Sequence, residues 1–297
     1  MALSLPVSKP LSREILSVSS MLRFAALLWI VCFSAHSTAS PKSAADPRII
    51  TAGGTITEIV FALGAGESVV AVDQSSQYPA AATDLPMVGY YRELAAEGVL
   101  AFMPDKLMAL EGAGSPEVLE QIAAIGVDVR IYAKPKSVDD LMSLIAELGD
   151  DLNRQNAATL LQTKIQSSLP VKKQLSDTKA VYLLSAGDRG LIAAGKETVP
   201  QLLFDYNGIQ NLASSHFGFK GLNSESLALQ QPDFLVAPEH VVRGMGGRQA
   251  FCQAAVLRLL SAAQECRLLV MDSLMSLGMT PRLAKAIEAV NRWEEVN

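Results

Sequence analysis

The sequence has few of the side chains that build metal clusters. It contains 3 His and 3 Cys in 297 residues, and protein zinc sites are built mainly from these two residue types. His36 and Cys32 lie near the N-terminus, away from the remaining members of the set. A carrier that captures zinc needs two or three histidines in one site, so we do not predict a zinc site.

An excess of positive charge and the common catalytic motifs are also lacking. With 25 Lys+Arg against 30 Asp+Glu, the formal net charge is -5, which provides no basic surface for nucleic acid. The chain has no G-x-S-x-G, Walker A or H-E-x-x-H sequence. The turn Gly53-Gly54-Thr55 resembles a phosphate-binding loop only loosely. We therefore predict neither a nucleic-acid-binding protein nor an enzyme.

No apolar run in the sequence reaches the length of about 20 residues that a bilayer-spanning helix needs. Near the N-terminus, Arg23 precedes an apolar run from Phe24 to Phe33, and small residues follow up to Ala39. This order is typical of a cleaved signal peptide. We predict a leader over residues 1–39 and a mature protein in the periplasm, with the start codon at Met1 or Met21 left open.

Two cysteines remain after the predicted leader, Cys252 and Cys266. A disulfide between them would persist in an oxidising compartment. Alternatively, both could be small buried apolar side chains with no bond between them. Their separation along the chain fits a bridge without requiring one.

The chain contains an internal repeat. Residues Ala96–Ala109 and Ser224–Ala237 align without gaps and share Glu, Pro, Asp, Leu and Ala. Each copy predicts a short helix that begins at a glutamate, ends at Pro-Asp and is followed by a buried strand. Because short apolar runs alternate with helical patterns around both copies, we predict an α/β protein with two Rossmann-like lobes and mainly parallel sheets.

A stretch with helical spacing of apolar residues, Ser137–Leu169, lies between the two copies. We predict one long helix at 137–170 that joins an N-terminal lobe (40–136) to a C-terminal lobe (171–297), with the ligand cleft between the lobes. Gly149 interrupts the pattern and could mark a kink or a break. An unbroken helix would restrict hinge motion.

The most specific motif is Val88–Leu100, which reads VGYYRELAAEGVL. It resembles the signature of periplasmic haem-binding proteins that deliver haem to ABC importers. The likeness continues through Pro104-Asp105 in the first lobe and Gly244–Gly247 in the second, and it spans about residues 48–292. The Glu and Pro-Asp elements are shared with cobalamin- and siderophore-binding relatives, so they support the fold more than the ligand.

The resemblance implies that the tyrosine of the Gly-Tyr pair, here Tyr90, is the axial ligand of the haem iron. Tyr91 falls at a variable position and could stack on the macrocycle or lie on the surface. A phenolate suits ferric iron, but free tyrosine has a pKa of about 10. The iron and an adjacent cation must therefore favour ionisation, and Arg92 supplies a permanent positive charge.

Haem also carries two propionates, for which Arg92 and Arg243 are the candidate partners. Arg243 precedes the loop Gly244–Gly247, whose glycines allow a flat ligand to approach the backbone. It could equally be a solvated arginine without a ligand. Met245 could face the porphyrin or pack locally.

A second axial ligand is not evident from the sequence. Some members of the resembling family carry a histidine in the loop after the first strand of the second lobe, where this chain has Ser185–Arg189. That departure predicts a five-coordinate site with tyrosine alone, or a donor not yet identified. His216 could approach the cleft or lie in a surface loop.

The repeated glutamates, Glu97 and Glu225, begin matched helices in the two lobes. In the resembling fold, the corresponding glutamates face arginines on the two subunits of the permease, which implies a docking role here. Each could instead be a glutamate favoured by the helix dipole.

Taken with the leader, the resemblance predicts a monomeric carrier that captures haem and delivers it to an ABC permease dimer. A cobalamin- or ferric-siderophore-binding protein of the same fold is the alternative.

Overall fold

The computed structural model describes residues 47–187 and 190–296. The predicted leader at 1–39, with its two possible start codons, lies outside these ranges. Arg189 lies outside these ranges as well. It ends the segment Ser185–Arg189, where some members of the resembling family carry a histidine. Within the described ranges, no helix is long and apolar enough to cross a membrane.

The strands alternate with helices along most of the chain. The strands are β1 Ile49–Ala52, β2 Val69–Val72, β3 Lys106–Leu110, β4 Asp128–Tyr132, β5 Lys179–Gly187, β6 Gly190–Ala194, β7 Gln210–Asn211, β8 Phe219–Leu222, β9 Phe234–Pro238 and β10 Leu268–Met271. Single 3-10 turns occupy Gly66–Ser68, Tyr91–Glu93 and Ala255–Leu257.

Among the described residues, the helices are short except for three of 14 residues. They are α1 Gly54–Ala62, α2 Ala80–Thr83, α3 Ala96–Leu100, α4 Pro116–Ala124, α5 Val138–Asp151, α6 Gln155–Ser168, α7 Val199–Asn207, α8 Ser224–Gln230, α9 Glu239–Gly244, α10 Arg248–Cys252, α11 Ser261–Gln264, α12 Ser273–Leu277 and α13 Leu283–Val296.

Two sheets divide the strands, as the sequence predicted. The first sheet has the order β2-β1-β3-β4, and all its neighbours are parallel. The second has the order β10-β9-β5-β6-β8, with β7 also paired to β5. Its β5, β7, β9 and β10 pairings are parallel, whereas β6 is antiparallel to both β5 and β8. The antiparallel strands β6 and β8 are an addition that the sequence pattern did not predict.

The internal repeat corresponds to equivalent positions in the two sheets. Each copy forms a short helix followed by a strand beside the first strand of its sheet: α3 and β3 beside β1, and α8 and β9 beside β5. The aspartate of each Pro-Asp pair accepts a hydrogen bond from a backbone N–H at the beginning of that first strand, that of Arg48 just before β1 and that of Lys179 at the start of β5. The distance is 2.7 Å both for Asp105 with Arg48 and for Asp233 with Lys179. The prediction of a helix and strand in each copy is therefore confirmed.

The single long helix predicted over Ser137–Leu169 is wrong, because the segment forms two helices, α5 and α6. The break lies at residues 152–154, where Asn153 has a φ of 54°. The helices pack on each other, with the Gln162 side-chain amide donating to the Met142 carbonyl at 2.8 Å. A Cβ on Gly149 would lie only 2.5 Å from that of Ala158. Gly149 thus permits the close approach of the two helices after the break.

One apolar core extends from the first sheet to the second. It contains buried residues of β1 and β3, of β5, β9 and β10, and of α7 and α13. In its second-sheet part, the Phe234 ring centroid lies 6.5 Å from that of Phe204 and 4.5 Å from that of Trp293. Alternate residues of β5 and β9 face a smaller core on the other side of the second sheet, as the period of two in a strand requires.

The two cysteines left open by the sequence, Cys252 and Cys266, form a disulfide with a Cα–Cα distance of 5.4 Å. Cys252 ends α10, and Cys266 lies just before β10. The bridge therefore attaches a short helix to the edge strand of the second sheet.

A buried ion pair joins a helix that precedes α5 and α6 in the chain to a residue that follows them. Glu58 of α1 is 2% exposed, and its carboxylate accepts from Arg282 Nε at 3.0 and 3.1 Å. Arg282 also lies 3.5 Å from a carboxylate oxygen of Asp272, and its guanidinium carbon is 3.9 Å from the ring centroid of Tyr78. Burial raises the pKa of Glu58, and the opposing effect of Arg282 is smaller.

Replacing the cation of this pair tests its role. In Arg282→Met, Glu58 stays buried without its counter-charge, and we expect a loss of about 3–5 kcal/mol in the free energy of unfolding at neutral pH. The pKa of Glu58 should rise further above its unfolded value, so the folded state binds the proton more tightly and the loss should shrink as pH falls. Urea unfolding over a range of pH measures this.

The double variant Glu58→Leu/Arg282→Met is the matched control, because it leaves no buried charge unpaired. It should be more stable at neutral pH than Arg282→Met and should lack that variant's pH trend. A single-variant deficit that does not change with pH would contradict the assignment.

Candidate functional site

Tyr90 lies in a loop at the carboxyl-terminal edge of the first sheet. The Val88 N–H donates to the Val72 carbonyl at 2.9 Å, and the Gln74 N–H donates to the Gly89 carbonyl at 2.8 Å. These bonds hold the loop against the end of β2. Gly89 has a φ of 93°, a conformation that glycine adopts without a Cβ penalty. The glycine of the Gly-Tyr pair therefore sets the direction in which Tyr90 leaves the loop.

The Tyr90 side chain is partly exposed, and its hydroxyl has no hydrogen-bond partner among the residues that the structure describes. Its ring meets that of Tyr91 edge to face, with centroids 5.1 Å apart. Burial raises the pKa of Tyr90, while the nearby charge of Arg92 lowers it by less. Arg92 thus acts in the direction that the sequence indicates, but its effect is smaller than that of burial.

Tyr91 is not a surface residue, which removes one of its two sequence-based interpretations. It is 6% exposed, and its hydroxyl accepts from Arg92 Nε at 2.9 Å. The Lys134 ammonium lies 3.5 Å from the same oxygen. The Gly114 N–H donates to the Tyr91 carbonyl at 2.9 Å and holds the 3-10 turn at the end of β3. Tyr91 therefore anchors the loop.

Lys134 was missed by the sequence reasoning because it lies far from the Gly-Tyr pair along the chain. It follows the end of β4, and carboxyl ends of parallel strands lie at one edge of a sheet. The parallel-sheet topology is therefore the signal that could have placed Lys134 beside Tyr91.

Asp73 is a second residue that the motif did not indicate. It is 1% exposed and accepts from the Gly53 and Ser75 N–H groups at 2.9 Å and from the Ser76 hydroxyl at 2.7 Å. Its charge also contributes to the raised pKa of Tyr90. The Gly53 N–H of the Gly53-Gly54 turn is therefore bound to a carboxylate of the protein itself. Gly54 is further constrained, since a Cβ there would lie 2.7 Å from Leu274.

Arg243 and Met245 belong to the second sheet's side of the molecule. Arg243 lies in α9 and pairs with Glu239 one turn earlier, at 2.6 Å. Met245 is partly buried and packs against the smaller core of that sheet, which favours the local-packing interpretation. No hydrogen bond, ion pair or ring contact joins either residue to Tyr90 in the part of the chain that is described.

The two described histidines both have local partners. His216 Nε2 lies 3.3 Å from the Ala193 carbonyl, and His240 Nδ1 lies 2.8 Å from the Ser273 hydroxyl. Burial, followed by the charge of Arg243, lowers the pKa of His240. Within residues 47–187 and 190–296, no group of three or more His, Cys, Asp or Glu could hold a metal ion.

An ion pair links the segment before α5 to the turn after β6. The Lys136 ammonium lies 3.4 Å from a carboxylate oxygen of Glu197. The neighbouring Lys196 exchanges backbone hydrogen bonds with the 216–218 turn and lies 5.8 Å from the ring centroid of Phe217, which is 57% exposed. Lys196 and the exposed Phe217 of the second lobe therefore lie beside the ion pair of Lys136 and Glu197.

A cavity of about 650 Å³ opens elsewhere, between α1, α6, α7 and α13. Its walls include Glu58, Tyr78 and Arg282, but not Tyr90 or Arg92. This cavity is therefore distinct from the site that the sequence predicts.

Glu97 and Glu225 lie in the first turns of α3 and α8. Both are exposed, and neither side chain has a hydrogen-bond or ion-pair partner among the described residues. Each carboxylate is therefore accessible from solvent at the helix start.

Comparison with known proteins agrees with the two-sheet fold. The periplasmic binding protein family model matches residues 49–274. A periplasmic heme binding protein from Pseudomonas aeruginosa is 34% identical, with 82% of this chain and 91% of that chain covered and a TM-score of 0.71. The periplasmic heme-binding protein RhuT from Roseiflexus sp. RS-1, in apo form, is 30% identical, with 85% and 100% covered and a TM-score of 0.77.

A vitamin B12-binding protein from Vibrio campbellii is also similar, at 23% identity over 222 residues, which are 73% of this chain and 80% of that protein. Since the family model matches well over half of the sequence, and both sheets lie within the matched range, the chain belongs to the periplasmic binding protein family.

Proposed function

We propose that this protein captures haem in the periplasm and delivers it to an ABC permease. The proposal is supported by two solved proteins with heme binding in their names that are at least 30% identical and are covered almost completely. Cobalamin binding is the alternative, supported by curated relatives of 23–26% identity that are named for vitamin B12.

The observation that carries the haem proposal is the phenol of Tyr90, presented on a fixed loop with no protein partner for its oxygen among the described residues. Haem iron accepts a tyrosine oxygen as an axial ligand. Cobalamin offers no comparable need for a phenolate. Tyr90 is therefore the proposed iron ligand of the transported haem.

Tyr90 must lose a proton to ligate the iron as phenolate. Its pKa lies above the ordinary tyrosine value because of burial, so the free protein holds the neutral phenol at physiological pH. Ferric iron stabilises the phenolate, and haem loading then releases one proton from this residue.

The other residues predicted for the site have supporting roles in the proposed function. Arg92 keeps its terminal guanidinium nitrogens free of protein partners in the described chain, and we propose that they bind a propionate. Arg243 is paired with Glu239, so it would have to break or share that ion pair to bind a propionate. Met245 would contact the macrocycle only at its exposed part. The local partners of His216 and His240 support a five-coordinate site.

Glu97 and Glu225 are the proposed contacts with the permease dimer. They are exposed, unpaired in the described residues, and occupy equivalent positions of the repeat. Charged groups at the rim of an interface set orientation and encounter rate more than affinity. We further propose export through the predicted leader, a monomeric state and no catalytic activity.

Removal of the phenol oxygen tests the ligand assignment. We expect Tyr90→Phe and Tyr90→Ala to weaken hemin binding more than about tenfold, or ~1.4 kcal/mol. Both should also abolish the charge-transfer bands of ferric phenolate. Absorption titration with hemin measures both effects, and cyanocobalamin is titrated in parallel. Phenolate bands retained in Tyr90→Phe would contradict the assignment, and binding of cyanocobalamin without hemin would support the alternative.

The raised pKa of Tyr90 gives a pH dependence. Because one proton leaves when the phenolate binds iron, hemin affinity should rise with pH by up to about tenfold per pH unit below that pKa. Hemin titrations between pH 6 and 9 measure the slope. Tyr90→Phe corrects for the titration of hemin itself, and the same slope in both proteins would contradict proton release from Tyr90.

Docking is tested with Glu97→Ala, Glu225→Ala and the double variant. We expect unchanged hemin affinity, slower association with permease in liposomes, and a weaker dependence of that association on salt. Glu67→Ala is the control, an exposed glutamate outside the repeat. Association equal to that of the parent protein in the double variant would rule out this docking role.

A further inference from the structure

We infer that Lys134 and Arg92 together bind a carboxylate of the ligand, and that the Tyr91 hydroxyl positions both cations. The inference rests on the proposed haem function. It adds Lys134 to the site and gives Tyr91 a positioning role beside the proposed ligand Tyr90.

Both cations approach one buried oxygen. Arg92 donates through Nε to the Tyr91 hydroxyl at 2.9 Å, and the Lys134 ammonium lies 3.5 Å from the same atom. The Tyr91 ring is buried and contacts the Tyr90 ring edge to face, and this packing holds it in place. A fixed hydroxyl therefore orients two flexible side chains toward the same side of the loop.

The charge of this pair is not neutralised by the protein. No carboxylate lies within 4.0 Å of the Arg92 guanidinium or the Lys134 ammonium in the described parts of the chain. The Glu111 carboxylate accepts from the Lys134 backbone N–H at 3.3 Å rather than pairing with its ammonium. Glu93 lies in the same 3-10 turn as Arg92 and is exposed without an ion pair.

Two like charges around one hydroxyl repel each other, and an anion placed between them would relieve that repulsion. The Arg92 guanidinium uses only Nε on Tyr91, so its terminal nitrogens remain free to bind a carboxylate. Lys134 adds a compact charge with two donors beyond the one directed at Tyr91. The geometry therefore suits a carboxylate better than a neutral polar group.

The position suits the proposed ligand. The Tyr91 ring centroid is 5.1 Å from that of Tyr90, so the cation pair lies one ring away from the proposed iron ligand. Haem carries its carboxylates on the edge of a flat macrocycle. A haem bound through its iron at Tyr90 can thus direct one propionate to Arg92 and Lys134.

The test compares hemin with its dimethyl ester, which has the same iron and ring but no free carboxylates. Lys134→Gln and Tyr91→Phe should each weaken hemin binding about threefold to tenfold, with little effect on the ester. Because Tyr91 acts through the cations, the double variant should lose less than the product of the two single losses. Phenolate bands should remain, since Tyr90 is intact.

Lys134→Arg should restore most of the hemin affinity that Lys134→Gln loses. Lys136→Gln is the matched control, a lysine two residues away that pairs with Glu197. Equal losses for hemin and ester, or no loss in Lys134→Gln, would overturn the inference while leaving haem binding by the parent protein in place. Failure of the parent protein to bind hemin at all would remove the proposed function and this subsite with it.

Discussion

The apolar core that extends from the first sheet to the second fixes the separation of the two lobes. Side chains of β1, β3, β5, β9 and β10 meet in it together with α7 and α13. The buried pair of Glu58 and Arg282 lies along the same junction. Sliding one sheet over the other would expose this surface to water, so the loops at the sheet edges are held on a stiff frame. The partly exposed phenol of Tyr90 lies on one of these loops.

The same frame explains why the site is assembled from distant sequence. All strands of the first sheet are parallel, so the loops after β2, β3 and β4 leave the same edge. They supply Tyr90, the Gly114 contact to the Tyr91 carbonyl, and Lys134, respectively. Backbone hydrogen bonds, rather than side chains alone, determine where the phenol lies.

Much of the fold was predictable because its signals are local. The repeated Glu and Pro-Asp elements specified the helix and strand of each copy, and Asp105 and Asp233 make the same hydrogen bond in both sheets.

The sequence misled where tertiary contacts decide. The break between α5 and α6 lies at residues 152–154, where Asn153 has a φ of 54°, and not at Gly149, where the interrupted helical spacing indicated a kink or a break. Arg92 lowers the pKa of Tyr90 as its place in the sequence indicates, but only the structure shows that burial outweighs this effect and that its Nε binds Tyr91. Lys134 joins the site only through sheet topology.

The internal repeat has a consequence for delivery. Under the proposed docking mode, two like permease subunits meet nearly the same helix start on either lobe, so the carrier can bind in two orientations half a turn apart. The phenol and its cations occur in the first lobe alone. The two orientations would therefore differ in which permease subunit receives the lobe that carries Tyr90, Arg92 and Lys134.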